Sequence, residues 1–428
     1  MNIEKLKELI GSLVKKKAFS NGIWMYLLEI FNTIVPLLTL PYITRILGAS
    51  QYGVFSIAIN ILGYFQVIVA YGFGMSATRE IALSDKSNEK INHIFSTVLF
   101  SRLILLGFCI VASVIYALSL KDDPTQVLCL FILLSALIGS CLQLNWLFQG
   151  MQQMQYISII SIVSRTISVA LIFLFVKSPN DLLTYCFLYS ISPIINGFLG
   201  MVVASIKFQI RLVHISRNDV IHELKKGWYV FTTQLSSKVF GAIGITFLGI
   251  FATKAEVGIY SAIQKIPNMM MLAWTPITQV LYPISSKKMG ASFAQGRLFI
   301  KKIQKIILPI FAIGALTVGI LSKYIVYFAF GAEYAECYYW ILPLLVWFIL
   351  GIYNNFQGVQ TLLGGGYDKE YSKCFQISVF CTIALNLVLI YFFKGTGACI
   401  APALSEIILG FMLRMEVKKL ENKYNIKR

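Results

Sequence analysis

The 428-residue chain carries 37 Lys and Arg against 19 Asp and Glu, and it is 57% hydrophobic and only 13% charged. Soluble globular chains run at about 25% charged, so this composition excludes a water-soluble fold. The formal charge of +18 is not a nucleic-acid footprint either, because the Lys and Arg residues sit in short connections between long apolar runs.

A bilayer core of about 30 Å needs about 20 mainly apolar residues per helix, and that pattern recurs from Ala18 to Met415. Barrel strands would alternate in polarity, whereas Phe95 to Leu118 and Val127 to Leu142 are apolar on every face. The expected fold is an all-α polytopic membrane protein of about twelve transmembrane helices in two six-helix bundles. In chain order, residues 1–17 form a polar, Lys-rich amphipathic segment from Ile3 to Lys17, and the apolar run after it is too long for a signal h-region. No cleavable signal peptide is therefore expected. The first bundle, residues 18–205, holds spans near 19–40, 53–75, 95–118, 126–148, 156–176 and 182–205. A basic linker follows at 206–227. The second bundle, 228–415, holds spans near 228–250, 258–282, 303–322, 337–360, 372–393 and 397–415, and a basic tail closes the chain at 416–428. Lys323 to Gly331 is too short to cross and is read as a half-buried, re-entrant turn before the tenth span.

The positive-inside count orients these spans. With the amino terminus in the cytoplasm, inner segments hold roughly 27 of the 37 basic residues, among them Lys15, Lys16, Lys17, Arg211, Arg217, Lys225, Lys226, Lys287, Lys288, Lys301, Lys302 and the tail from Arg414. Outer loops hold about six: Arg45, Lys121, Lys177, Lys254, Lys323 and Lys394. Both termini are thus expected inside. An internal repeat supports two halves. Tyr52-Gly53-Val54-Phe55-Ser56 at the start of span two resembles Val257-Gly258-Ile259-Tyr260-Ser261 at the start of span eight, and Gly150 with Tyr156 matches Gly365 with Tyr371. Six spans per half give parallel repeats with a cavity expected between the bundles. The eight Cys are scattered without a C-x-x-C, so neither a disulfide nor a metal site is expected.

Six ionisable residues fall within spans: Glu29, Arg102, Arg165, Lys238, Lys265 and Glu406. Intramembrane charge is costly, so such residues usually face a bundle interior or an aqueous cavity. Lys265 stands in Ser261-Ala262-Ile263-Gln264-Lys265-Ile266-Pro267, beside a proline able to open the helix, and is read as a cavity residue. Lys238, near Gln234, Ser236 and Ser237, fits cargo contact or interhelical bonding equally. Arg102 and Arg165 lie about two turns from a cytoplasmic end, where a long side chain also reaches the headgroups. Glu29 and Glu406 are each an ion-pair partner or a proton or cation site. Among the amides, Asn32, Asn145 and Gln264 join the candidate cavity lining, with Asn21, Gln66, Gln149, Asn196, Asn268, Gln279, Asn354, Gln357 and Asn386 serving that purpose or interhelical hydrogen bonding. No catalytic signal accompanies them: His93, His214 and His222 lie in or at cytoplasmic loops without H-E-x-x-H spacing, and Gly364-Gly365-Gly366 lacks the Lys-Ser/Thr of a phosphate loop. No enzymatic activity and no cofactor are expected.

Several stretches carry a family resemblance. Tyr26-Leu27-Leu28-Glu29-Ile30-Phe31-Asn32, Pro36 to Gly48, Tyr52-Gly53, Tyr71 to Ala82, Asn145-Trp146-Leu147-Phe148-Gln149-Gly150, Tyr260-Ser261-Ala262 with Gln264-Lys265-Ile266, and Leu281-Tyr282-Pro283 together resemble bacterial O-antigen and polysaccharide-repeat-unit flippases. The resemblance implies the multidrug/oligosaccharidyl-lipid/polysaccharide superfamily fold, with two bundles in a V around a central, often cationic cavity that works by alternating access. It implies an undecaprenyl-pyrophosphate-linked oligosaccharide as cargo, moved from the cytoplasmic to the outer leaflet of the inner membrane, with membrane lipids, a polysaccharide polymerase and a chain-length regulator as partners. It also implies that Lys265, early in span eight, faces the cavity. Coupling to H+ or Na+ through Glu29 or Glu406 is left open. The alternatives are a cation-coupled multidrug exporter of the same superfamily, which would concentrate acids in its lumen, and a membrane-embedded polymerase, which would carry a sizeable outer loop.

Overall fold

The structure, a computed structural model, describes residues 3–84, 87–119 and 123–424, with no account of the side chains of residues 3–19 and 119. The side chains of Lys15, Lys16 and Lys17, the outer-loop Lys121 and the tail residues 425–428 therefore lie outside the described residues. All regular structure among the described residues is helical. Among the described residues, nine helical segments are long and apolar enough to cross a membrane, so the chain is a multi-pass α-helical membrane protein. The first and last of them reach over two predicted spans each. α1 (Ile3–Ala70) is kinked at Gly48 (φ 73°, ψ 170°), and α15 (Asp368–Lys423) is kinked at Lys394 (φ 49°, ψ −126°).

Between them run α2 (Phe73–Leu83), α3 (Asn88–Ser119), α4 (Pro124–Leu142), α5 (Asn145–Gly150), α6 (Met154–Phe175), α7 (Leu182–Phe208), α8 (Arg217–Phe251), α9 (Lys254–Ile263), α10 (Lys265–Ala291), α11 (Phe293–Ile320), α12 (Ser322–Phe330), α13 (Ala332–Ala335) and α14 (Ile341–Gln357). Eighth-span residues divide into α9 and α10 because Pro267 has no N–H for the Ile263 carbonyl, so the helix is interrupted at Gln264. The stretch expected as a turn at 323–331 is instead the nine-residue helix α12, closed by Gly331 at φ 104° and about 14 Å long at 1.5 Å per residue, too short to cross.

Two compact units emerge. One comprises the chain up to Thr39 together with Ile57–Val239; the other comprises Leu40–Ser56 and everything from Phe240 onward. In the first unit, α4 and α7 approach through glycine: a Cβ on Gly139 would fall 2.4 Å from the Pro193 carbonyl carbon, and one on Gly197 would fall 2.5 Å from the Gly139 oxygen. Near the start of the same pair, the buried thiols of Cys129 and Cys186 face each other. The linker after α7 folds back on α3, where Asn92 Oδ1 accepts from the Arg211 N–H and Ser96 Oγ from the Val213 N–H, both at 2.9 Å. α8 is clamped to α2 by Lys226 Nζ on Glu80 at 3.1 Å, and Tyr71 stacks on Phe231 at 4.5 Å.

In the second unit each kink is capped by a distant acid. A kink restarts the helix and leaves N–H groups without intrahelical partners. Glu333 accepts from the Ala49 N–H at 2.8 Å after the Gly48 kink, and Glu256 accepts from the Gly395 N–H at 3.3 Å after the Lys394 kink. Glu256 also completes a capping box with Thr253 at the start of α9. At the cytoplasmic end expected for this unit, Arg297 is 1% exposed and donates to Glu421 at 2.8 Å, Gln357 at 2.9 Å and Thr361 at 3.0 Å. This network ties α11 and α15 to the π-helical turn Gly358–Leu363 that ends α14.

Candidate binding cavity in the first unit

A cavity of about 600 Å³ lies within the first unit, walled by both halves of α1 and by α2 to α7. Its volume is in the range of small-molecule pockets. Among the described residues, six amides line it (Asn32, Gln66, Gln143, Asn145, Gln149, Asn196), with four serines, the rings of Trp146, Tyr185 and Tyr189, and two arginines, Arg102 and Arg165, and none of the lining residues is acidic.

Local backbone geometry places these groups. α4 ends at Leu142 and α5 begins at Asn145, so the carbonyls at the break lose their helical partners. Arg102, reaching across from α3, supplies them: its Nη1 donates to the Cys141 oxygen at 3.3 Å and the Gln143 oxygen at 2.8 Å, and its guanidinium lies 5.9 Å from the Trp146 ring. Arg102 is only 6% exposed. The break turns Gln143, Asn145 and Gln149 towards the cavity, and Thr78 Oγ1 steadies α5 by donating to the Trp146 oxygen at 3.0 Å. Arg165, on α6, differs: it is half-buried and donates Nη1 to Asn32 Oδ1 at 2.9 Å. Neither arginine is ion-paired among the described residues, so the cavity carries positive charge without an internal counter-ion. On the same wall Asn196 donates Nδ2 to Ser161 Oγ at 2.9 Å.

The structure therefore brings seven sequence-derived candidates, Asn32, Gln66, Arg102, Asn145, Gln149, Arg165 and Asn196, into one cavity. Glu29, exposed on α1, and Lys238, half-buried on α8, belong to the same unit without lining it. Lys238 Nζ sits 5.5 Å from the Tyr64 ring and against Gly63, where a Cβ would fall 2.5 Å from it. Gln264, Lys265 and Glu406 belong to the second unit. Lys265 is exposed at the start of α10, and Gln264 is half-buried at the break before it. Glu406 is half-buried, with Asn354 Nδ2 donating to its backbone oxygen at 2.8 Å and to its carboxylate. Sequence reasoning overlooked Gln143, which faces the cavity only because α4 stops one residue before it; no local breaker at that point, neither Gly nor Pro, announces the stop.

Residues 18–289 match the family described as "Polysaccharide biosynthesis protein". Over 398 residues, 93% of this chain and 96% of the relative, the sequence is 26% identical to an Escherichia coli (strain K12) protein named "Putative O-antigen transporter". Among solved structures, the lipid II flippase MurJ in an inward closed conformation superposes with a TM-score of 0.70 over 94% of this chain and 87% of that one, at 14% identity. An inward-facing multidrug resistance MATE family transporter superposes with a TM-score of 0.65 over 91% of this chain and 99% of that one, at 15% identity. At these identities the structural likeness shows a shared fold.

Proposed function

We propose that this chain, which belongs to the polysaccharide biosynthesis protein family, is a flippase that carries undecaprenyl-pyrophosphate-linked oligosaccharide repeat units from the cytoplasmic to the outer leaflet of the inner membrane, with both termini in the cytoplasm. The observation that carries this reading is a cavity among membrane-crossing helices with two arginines, six amides and three polar aromatic rings, and no carboxylate among its described lining residues. A lipid-linked glycan offers hydroxyls, which amides meet as both donors and acceptors, and anionic oxygens, which guanidinium groups meet with charge-assisted bonds. A cationic drug would find no counter-charge on that wall, which disfavours the exporter reading although the fold is shared with MATE transporters. Lys238 and Lys265 are further cargo contacts in this proposal, and Glu29 and Glu406 are the sites for H+ or Na+ coupling. The cycle is alternating access without chemistry on the cargo, which passes to a polymerase and its chain-length regulator.

Complementation tests this. In a strain lacking its own repeat-unit flippase, the chain is expected to restore surface polysaccharide and to clear lipid-linked units from the inner leaflet. Accumulation of inner-leaflet units across several repeat types, despite full expression, contradicts the proposal.

A further inference from the structure

Resting on that reading, we propose that the cavity of the first unit holds an acidic sugar of the glycan, with Arg165 as the ligand of its single carboxylate. The two arginines have different roles. Arg102 is 6% exposed and its Nη1 serves the chain's own carbonyls at the α4–α5 break, so it contributes positive potential but almost no surface to a ligand. Arg165 is half-buried, held from one side by a neutral amide, Asn32 Oδ1 at 2.9 Å, and no carboxylate competes for it among the described residues. It offers one guanidinium fork to a carboxylate.

The rest of the wall suits a sugar ring rather than a pyrophosphate. Pyrophosphate is met by clusters of reachable cations or by converging backbone N–H groups. Here, among the described lining residues, a single reachable cation is surrounded by amides and by the rings of Trp146, Tyr185 and Tyr189, which give hydroxyl partners and flat apolar surface. The cavity, about 600 Å³, accommodates a charged sugar together with its neighbours in the chain.

The test uses the full chain in a flippase-null host, with two matched repeat units that differ only in one residue, a hexuronic acid or the neutral hexose obtained by reducing its carboxyl. The unaltered protein is expected to transport the acidic unit better. Arg165→Gln is expected to lower transport of the acidic unit about tenfold or more and to lower transport of the neutral unit much less, with Arg165→Lys intermediate. Asn32→Ala, which frees Arg165 without removing its charge, is expected to weaken the preference less. Equal transport of both units by both proteins overturns the assignment. An equal loss of both units in Arg165→Gln at normal expression and melting temperature also overturns it, since Arg165 would then act on the pyrophosphate common to both. Transport of neither unit by the unaltered protein overturns the flippase reading itself.

Discussion

Gly53 on α1 and Gly258 on α9 pack backbone against backbone: a Cβ on Gly53 would lie 1.7 Å from the Lys254 oxygen, and one on Gly258 would lie 2.0 Å from the Ala49 oxygen. These glycines occupy matching positions of the internal repeat, Tyr52-Gly53 and Val257-Gly258. The repeat thus meets itself inside the second unit, through residues with no side chain to hold the helices apart. Backbone on the opposing helix cannot move aside as a flexible side chain would. Gly53→Ala and Gly258→Ala are each expected to destabilise the protein by about 1–3 kcal/mol, read as a lower melting temperature of the detergent-solubilised full chain. Gly74→Ala, with nothing within 4 Å of its added carbon, is the control and is expected to leave the melt unchanged.

The two capped kinks make a second prediction. Glu333→Ala removes the acceptor of the Ala49 N–H, and Glu256→Ala removes acceptors for both Gly395 and the Thr253 box. Each loss is expected to cost about 0.5–2 kcal/mol, with Glu256→Ala the larger because it serves two helix starts. Lys394, at φ 49°, is in a region that favours glycine. Lys394→Gly is expected to match or exceed the parent in melting temperature.

Glu421 is approached by three cations, Arg297 at 2.8 Å, Lys301 at 3.2 Å and Arg414 at 3.3 Å. Arg297→Met leaves Lys301 and Arg414 to compensate the carboxylate, whereas Glu421→Leu leaves the 1% exposed guanidinium without its counter-ion. Glu421→Leu is therefore expected to be the more damaging, at a cost of about 3–5 kcal/mol. The double variant is expected to recover much of that loss. A thermal-melt double-mutant cycle measures the coupling, and strictly additive losses would show that the pair is not coupled.

What the sequence made legible follows from what hydropathy encodes. Long apolar runs mark the helices, and a proline at 267 marks the break at Gln264 in span eight. Rotation about each helix axis is set by close approaches such as Gly139 on Gly197, so the sequence could nominate Asn32, Arg102, Asn145 and Arg165 separately but could not show that they share one cavity. Arg297 and Glu421 illustrate the opposite error of scale. Both fall outside the expected spans, in segments that look like solvated, basic cytoplasmic chain, yet they are 1% and 5% exposed. Burial there comes from helices that continue past the apolar stretch, with α11 starting at Phe293 and α15 running to Lys423, and polar helical turns beyond a span carry no hydropathy signal.

Arg102 and Arg165 are expected to fail differently. Arg102→Leu strands the Cys141 and Gln143 carbonyls at the α4–α5 break, so melting temperature should fall, at about 1–3 kcal/mol for an orphaned buried group. Arg165→Gln keeps a donor for Asn32 and should melt near the parent while transport falls. Equal melting losses for both variants would contradict the division of roles.

Vesicle flipping tests the central claim most directly. The purified full chain is reconstituted into liposomes containing a lipid-linked oligosaccharide, and the fraction of glycan open to an added, membrane-impermeant glycosidase is followed. A flippase is expected to raise that fraction from about the outer-leaflet share towards complete digestion, and the Arg165→Gln protein should do so more slowly with an acidic glycan. Digestion that stops at the level of protein-free vesicles, with correctly folded protein in the bilayer, would contradict the account.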